Sequence, residues 1–277
     1  SAWVAVAEFV RSSGKRASTT VSHGLLLGVV AFSASMSASA QVPISTTLPN
    51  GATIAAGQVA ITTSASRMDV NQSSAKAIVN WNSFNIGSGA QVNFAQPNTT
   101  SVILNRVEGG NASQIFGRLT SNGHVFLTNP AGVLFAPGAQ VDVGGLVAST
   151  LGISDANFLA EKYSFSNGGS AAGVTNAGNI TSSRGGFVAL IAPQVSNSGN
   201  INAPSGSIGL AAGDHVNLDF DLDGLLSFRV DFATAEARAG NSGSLIADGG
   251  RVVMNAQAKD ALLSTVLNND GVIRARS

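Results

Sequence analysis

Asp219-Phe220-Asp221-Leu222-Asp223-Gly224 has the alternating carboxylates and the glycine that open a calcium-binding loop, in which side-chain oxygens two residues apart converge on one cation. The twelfth position of such a loop takes a bidentate glutamate. Here it is Val230, with Asp231 one residue late and no flanking helices expected, so a solvated turn is the preferred reading of Asp219, Asp221 and Asp223. His23, His124 and His215 are far apart in sequence. His23 falls in an amino-terminal targeting segment, and the other two sit beside predicted strands as surface or internally satisfied residues rather than ligands. Carbohydrate-cleaving or lyase chemistry would need clustered carboxylates with Arg or Lys on one face. Outside residues 214–231 the acidic residues are isolated, and Arg106 with Glu108, and Arg184 alone, read as corner charges. No nucleophile elbow, phosphate loop or dinucleotide fingerprint is present, and the absence of Cys removes thiol nucleophiles, thiolate metal sites and disulfides. No enzymatic activity and no cofactor are expected. The 15 basic and 15 acidic residues balance, so no broad field exists to attract nucleic acid.

The polar residues that stand out lie between the most hydrophobic segments: Asn105-Arg106, and Asn129-Pro130-Ala131-Gly132-Val133. Asn and Pro form corners and Gly relieves the backbone, so folding alone accounts for both groups. The elements that must position them are strands. Residues 122–150 contain HVFLT, GVLFA and AQVDV, each of ordinary strand length, broken at Asn129-Pro130 and Pro137-Gly138, where proline forces the chain to turn. Three strands and two corners in so short a span form one coil of a parallel β-helix, which buries its apolar side only by stacking on its neighbours. Upstream, QVAIT, KAIVNW, QVNFAQ and SVILNRV read as further strands, while GGNASQIFGRL (109–119) reads as a loop returning to the core.

Downstream the coil repeats openly. Val174-Thr-Asn176-Ala-Gly178-Asn-Ile180 recurs 21 residues later as Val195-Ser-Asn197-Ser-Gly199-Asn-Ile201, and again as Leu267-Asn-Asn269-Asp-Gly271-Val-Ile273. That period suits one β-solenoid coil and is too short for a βαβ unit. Asn at equal positions can form an amide ladder along the axis, and the following Gly allows the corner. At about 4.8 Å per coil the stack predicts a rod of about 50 Å. Two interruptions are expected: a short helix over Ser154–Lys162, capped by Ser154 with Phe158 and Leu159 packing inward, and an acidic excursion from Asn217 to Asp248 made of a hairpin and a helical turn.

Residues 1–40 carry targeting signals instead of fold signals: Arg11, Lys15 and Arg16, the apolar run GLLLGVVAF, and Ala38-Ser39-Ala40 as a cleavage site before Gln41. The apolar run is shorter than the roughly 20 residues needed to span a bilayer. The preceding AWVAVAEFVRSSGKR resembles the extended signal-peptide region of large Gram-negative surface proteins, with the start of that region missing. Cleavage between Ala40 and Gln41 would leave 41–277 as one β-helix domain that continues past its last residue, since GVIRARS stops inside a repeat without a polar cap.

The stretch SVILNRVEGGNASQIFGRLTSNGHVFLTNPAGVLFAPGAQVDVGGLVAST resembles the amino-terminal secretion domain of the filamentous haemagglutinin family, the exported partner in two-partner secretion. The resemblance implies an all-β fold, a right-handed parallel β-helix whose first coils are recognised by the periplasmic POTRA modules of a dedicated outer-membrane β-barrel transporter. It places that recognition on Asn105, Arg106, Asn129, Pro130, Gly132 and Val133. The family's N-P-N-G-I motif is Asn129-Pro130-Ala131-Gly132-Val133 here, with Ala131 removing an amide that could cap the turn, and a companion N-P-N-L is not found. The family further implies a protein exported through the periplasm and outer membrane to the cell surface or medium. It would be an adhesin for host-cell or bacterial surface receptors or glycans, with a toxin carrier or haemolysin as the competing class and a β-helix enzyme a distant third.

Overall fold

The structure is a computed structural model in which residues 42–166, 168–220, 226–232, 237–257 and 267–276 are described. The targeting segment, the Ala40–Gln41 junction, Asp221 and Asp223 lie outside the described residues. β1 (Thr53–Ala56) and β2 (Val59–Ser64) come first, and the first coil follows with β3 (Arg67–Gln72) and β4 (Lys76–Trp81). The second coil is β5 (Gln91–Ala95), β6 (Val102–Val107) and β7 (Ser113–Ile115); the third is β8 (Arg118–Ser121), β9 (His124–Thr128) and β10 (Val133–Phe135). β11 (Gln140–Ser149) then leads to α1 (Asp155–Leu159) and β12 (Tyr163–Ser166) before the fourth coil closes with β13 (Gly173–Asn176). β14 (Asn179–Ala192) and β15 (Gln194–Asn197) form the fifth coil. In the sixth, β16 (Asn200–Asn202) and β17 (Ser207–Ala212) are separated from β20 (Arg238–Asn241) by β18 (His215–Phe220) and β19 (Leu226–Phe232). β21 (Ser244–Ile246), β22 (Arg251–Ala256), β23 (Leu267–Asn269) and β24 (Val272–Arg274) continue the stack.

Strands stack in parallel on three faces. One runs β3-β5-β8-β11-β14-β16-β21-β24. The second runs β4-β6-β9-β11-β14-β17-β22, and the third β7-β10-β13-β15-β20-β23. This is the expected parallel β-helix. β11 and β14 each span two faces, bending where the register slips between Val143 and Gly145. At the amino end the parallel order stops: β1 pairs antiparallel with β4, and β2 with β3, closing that end of the stack.

Among the described residues the interior holds two apolar clusters. Inside the coils, Trp81 packs edge-on against Phe84 at 5.4 Å and Phe84 stacks on Phe94 at 6.5 Å; farther along, Val, Ile, Leu and Ala take over. The second cluster lies on the outer side of the β4–β17 face, where Phe126 gathers Phe158, Tyr163, Phe165 and Phe187. It is roofed by α1 and by the antiparallel sheet β12-β18-β19. Strands of this face are therefore covered on both sides, which is why Val102-Ile103-Leu104 and Val125-Phe126-Leu127 are unbroken apolar runs rather than alternating ones.

The amide ladder is present and has one rung more than the three sequence copies imply. Asn176 donates to Asn197, Asn197 to Asn241 and Asn241 to Asn269, each at 2.7 Å, across separations of 21, 44 and 28 residues. Asn241 belongs to Ala239-Gly240-Asn241-Ser242-Gly243, so the second excursion ends at Arg238 and not at Asp248. The glycines of the motif serve a different end from the one expected. None of Gly178, Gly199, Gly243 and Gly271 has a positive φ; a Cβ on Gly199 would lie 2.2 Å from the Gly178 carbonyl oxygen, and one on Gly243 2.0 Å from that of Gly199. Close approach of successive coils, not a sharp corner, requires them. Two further expectations change. Ser113–Ile115 is a strand of the third face rather than a loop, and Leu159 stays exposed while Phe158 alone packs inward from the Ser154-capped helix.

A buried polar corner between the second and fourth coils

In β6, Ile103, Asn105 and Val107 face into the coil while Leu104 and Arg106 face out, the strict alternation of a strand. Asn105 is thus an amide placed in an apolar column between Val79 and Leu127. It is fully buried and satisfied: its Oδ1 accepts from the Trp81 indole at 3.0 Å, and its Nδ2 donates to the Phe126 carbonyl at 3.3 Å. Arg106, on the outer side, donates to Asn80 Oδ1 at 3.2 Å, to the Ile153 carbonyl at 2.9 Å and to Asp155 at 2.6 Å. Arg106 is therefore more than a corner charge, because it straps the start of α1 to the second coil across 47 residues of chain. The ion pair is half in solvent, so the charge-assisted bond to the Ile153 carbonyl is the stronger part of the strap.

Asn129 ends β9 with its side chain buried. Its Nδ2 donates to the Asn111 carbonyl at 3.0 Å and Ser113 Oγ at 2.9 Å, tying the third coil to the second. Its Oδ1 accepts from the Ala131 amide at 2.9 Å and its carbonyl from the Gly132 amide at 3.0 Å, closing a turn with the exposed Pro130 at the second position. Gly132 has φ +121°, where a Cβ is strained, so this glycine is required by conformation. Val133 is buried and pairs with Ser113 on one side and Val174 on the other. The two predicted motifs meet: Arg106, Glu108, Thr128, Pro130, Ala131 and Ser170 line one groove of about 670 Å³. Ser113, Asp155 and Thr128 belong to this corner and were not singled out from sequence. Alternation along HVFLT places Thr128 outward beside Arg106, its register partner, and that was the available signal.

The histidines divide. His215 is satisfied as expected, with Nδ1 3.2 Å from Asp231 and Nε2 3.2 Å from Ser164 Oγ. Ser164 spends its own backbone N–H on the Lys162 carbonyl at 2.8 Å, and Asp231 is shared with Arg229 at 2.9 Å, so the three groups hold β12, β18 and β19 together. His124 has no such partners. It is half-buried, edge-on to Phe187 at 4.9 Å, without a side-chain hydrogen bond among the described residues, and burial pushes its pKa down to about 4. Asp219 is exposed in β18, opposite Ser227, while Val230 packs on the outer apolar cluster. Among the described residues no group of three or more potential metal ligands forms.

A model of the TPS secretion domain family matches residues 40–277. Among curated proteins, a heme/hemopexin-binding protein of Haemophilus influenzae is 33% identical over 226 residues, covering 78% of this chain and 24% of that protein. A second protein of that name from the same organism is 47% identical over 103 residues, 37% of this chain and 11% of that one. The chain therefore spans a quarter or less of the curated relatives it matches. Among solved structures, the secretion domain of HMW1 from Haemophilus influenzae superposes with a TM-score of 0.73 at 33% identity, covering 80% of this chain and 57% of that chain.

Proposed function

Because this chain belongs to the TPS secretion domain family, we propose that its Asn105–Val133 segment is read by a cognate outer-membrane transporter before the chain folds, and that folding then withdraws the signal. The observation carrying this reading is burial: Asn105 and Asn129 are 0% exposed and Val133 2%. A partner can touch these side chains only on the unfolded chain. In that state the amides of Asn105 and Asn129, the Arg106 guanidinium and the Pro130 turn are available to the periplasmic POTRA modules of a β-barrel transporter. Outside the cell the same amides bond Trp81, Phe126, Asn111 and Ser113, so release from the transporter and closure of the corner are one event. A partner that binds only the unfolded chain opposes folding while it holds on, and each stacked coil then opposes return. Export needs no catalytic site and no cofactor in this domain on this reading.

Beyond the domain, the longer protein is read as an adhesin whose distal part meets host-cell or bacterial surface receptors or glycans; a toxin carrier or haemolysin would instead carry an effector module downstream. The test compares POTRA-module binding to the urea-unfolded and the folded chain, together with secretion through the cognate barrel. The unfolded chain should bind, the folded chain should not, and Asn129→Ala should weaken binding to the unfolded form. Equal binding by the folded chain, or undiminished secretion after deletion of residues 102–150, would sink the reading.

A further inference from the structure

A second cavity, of about 610 Å³, opens where the roof meets the outer side of the β4–β9 face, lined by Thr100, Val102, His124, Glu161, Tyr163, Leu218 and Asp219. Three features separate it from an ordinary surface fold. His124 presents an imidazole with no hydrogen-bond partner among the described residues, kept neutral by burial and packed against Phe187. The ring fits there because residue 145 is glycine: a Cβ on Gly145 would lie 2.6 Å from the Phe187 ring and 3.0 Å from that of His124. Glu161 follows α1 with φ +58°, a left-handed conformation that glycine or asparagine normally takes at a helix end.

The lining fixes the kind of ligand. Among the described residues its charged lining groups are the carboxylates of Glu161 and Asp219, and because Glu161 is already paired with Lys76 at 2.7 Å, the balance is one net negative charge. Val102 and Leu218, 4% and 1% exposed, form only its apolar floor, and Tyr163 adds an aromatic ring whose hydroxyl stays protonated, burial and Glu161 pushing its pKa up to about 12. An anion would meet net negative charge, and a purely apolar ligand would leave the imidazole unpaired. We propose that this cavity is a binding site for a small organic amine in its ammonium form. The carboxylates supply the counter-charge, the Tyr163 ring a cation–π surface, Val102 and Leu218 a seat for the carbon body, and His124 a hydrogen-bonding partner.

Benzylamine is the probe, followed by NMR of the histidine ring resonances of the whole 277-residue chain. The His124 signals should shift saturably, with a Kd on the order of 1 mM, while those of His215 stay in place. Benzyl alcohol and benzoate should bind at least about tenfold more weakly. Glu161→Gly separates ligand binding from folding: it relieves the backbone, so its melting temperature should hold or rise while amine affinity falls about tenfold. Asp219→Asn, at an exposed position, should weaken binding with stability unchanged. Shifts that grow linearly with amine concentration, equal binding of benzoate, or full affinity in Glu161→Gly would overturn the assignment.

Discussion

His124 shows how a single side chain ties stability to pH. In the unfolded chain its pKa is near 6.5; in the fold, burial lowers it to about 4. A group whose folded pKa is depressed contributes stability that is complete above the unfolded value and is lost as pH falls from about 6.5 towards 4. Urea denaturation of the wild type should therefore lose about 2 kcal/mol more than His124→Gln between pH 7.5 and 4.5. Equal losses would show that His124 titrates freely in the fold. The amide ladder makes a second residue-scale prediction. Asn197→Ala leaves the Nδ2 of Asn176 with only its long 3.4 Å bond to the Gly178 carbonyl and takes the Asn197 donor from the Oδ1 of Asn241, both on buried residues, and should cost about 2 kcal/mol. Asn200→Ala, which breaks the exposed 2.9 Å pair with Asn179, should cost less than about 1 kcal/mol. Comparable urea midpoints for the two variants would remove the ladder as a source of stability.

At the scale of elements, stacking distance is set by glycine. A Cβ on Gly206 would lie 1.9 Å from the Gly186 carbonyl oxygen, and one on Gly250 1.9 Å from that of Gly206, so this corner has a column without side chains. Gly206→Ala must push two coils apart and should cost about 2 kcal/mol or more, whereas Gly240→Ala, with nothing within 4 Å, should stay within about 0.5 kcal/mol. Thermal melts of the pair check the contrast. What sequence could and could not show follows the same physics. The aliphatic-x-Asn-x-Gly-x-Ile copies were legible because stacking demands identical residues at identical heights, and from them came the period and the ladder, while the coil itself came from residues 122–150. The copy around Asn241 escaped because Ala239 and Leu245 replace the expected aliphatic and Ile, and a hairpin stretches the spacing to 44 residues. The Asn105–Arg106 and Asn129–Val133 groups stood out by composition. Their bonds to Trp81, Ile153, Asp155, Asn111 and Ser113 did not, since partners on other coils follow no fixed sequence interval.

For the molecule as a whole, the roof decides when folding is complete. The inner cluster grows coil by coil as chain is supplied, but the outer cluster cannot close that way. β12 comes from the interruption in the fourth coil and pairs with β18 from the sixth, with Ser164 and His215 meeting across 51 residues. Until β18 and β19 are available, Leu104, Phe126, Val147 and Phe187 lack the covering Val216, Leu218 and Leu226. Those three buried side chains contribute about 2 kcal/mol each, comparable to a large part of a domain's net stability. A chain fed amino end first thus passes through a stage with coils stacked and one face bare, then locks in a single step. Truncation after Gly213 should leave strand-rich circular dichroism but strong binding of a hydrophobic dye and rapid proteolysis. Truncation after Gln257, with the hairpin included, should abolish both. If the shorter chain excluded dye and resisted protease as well as the longer one, the parallel stack alone would carry the fold and the roof would be an ornament on it.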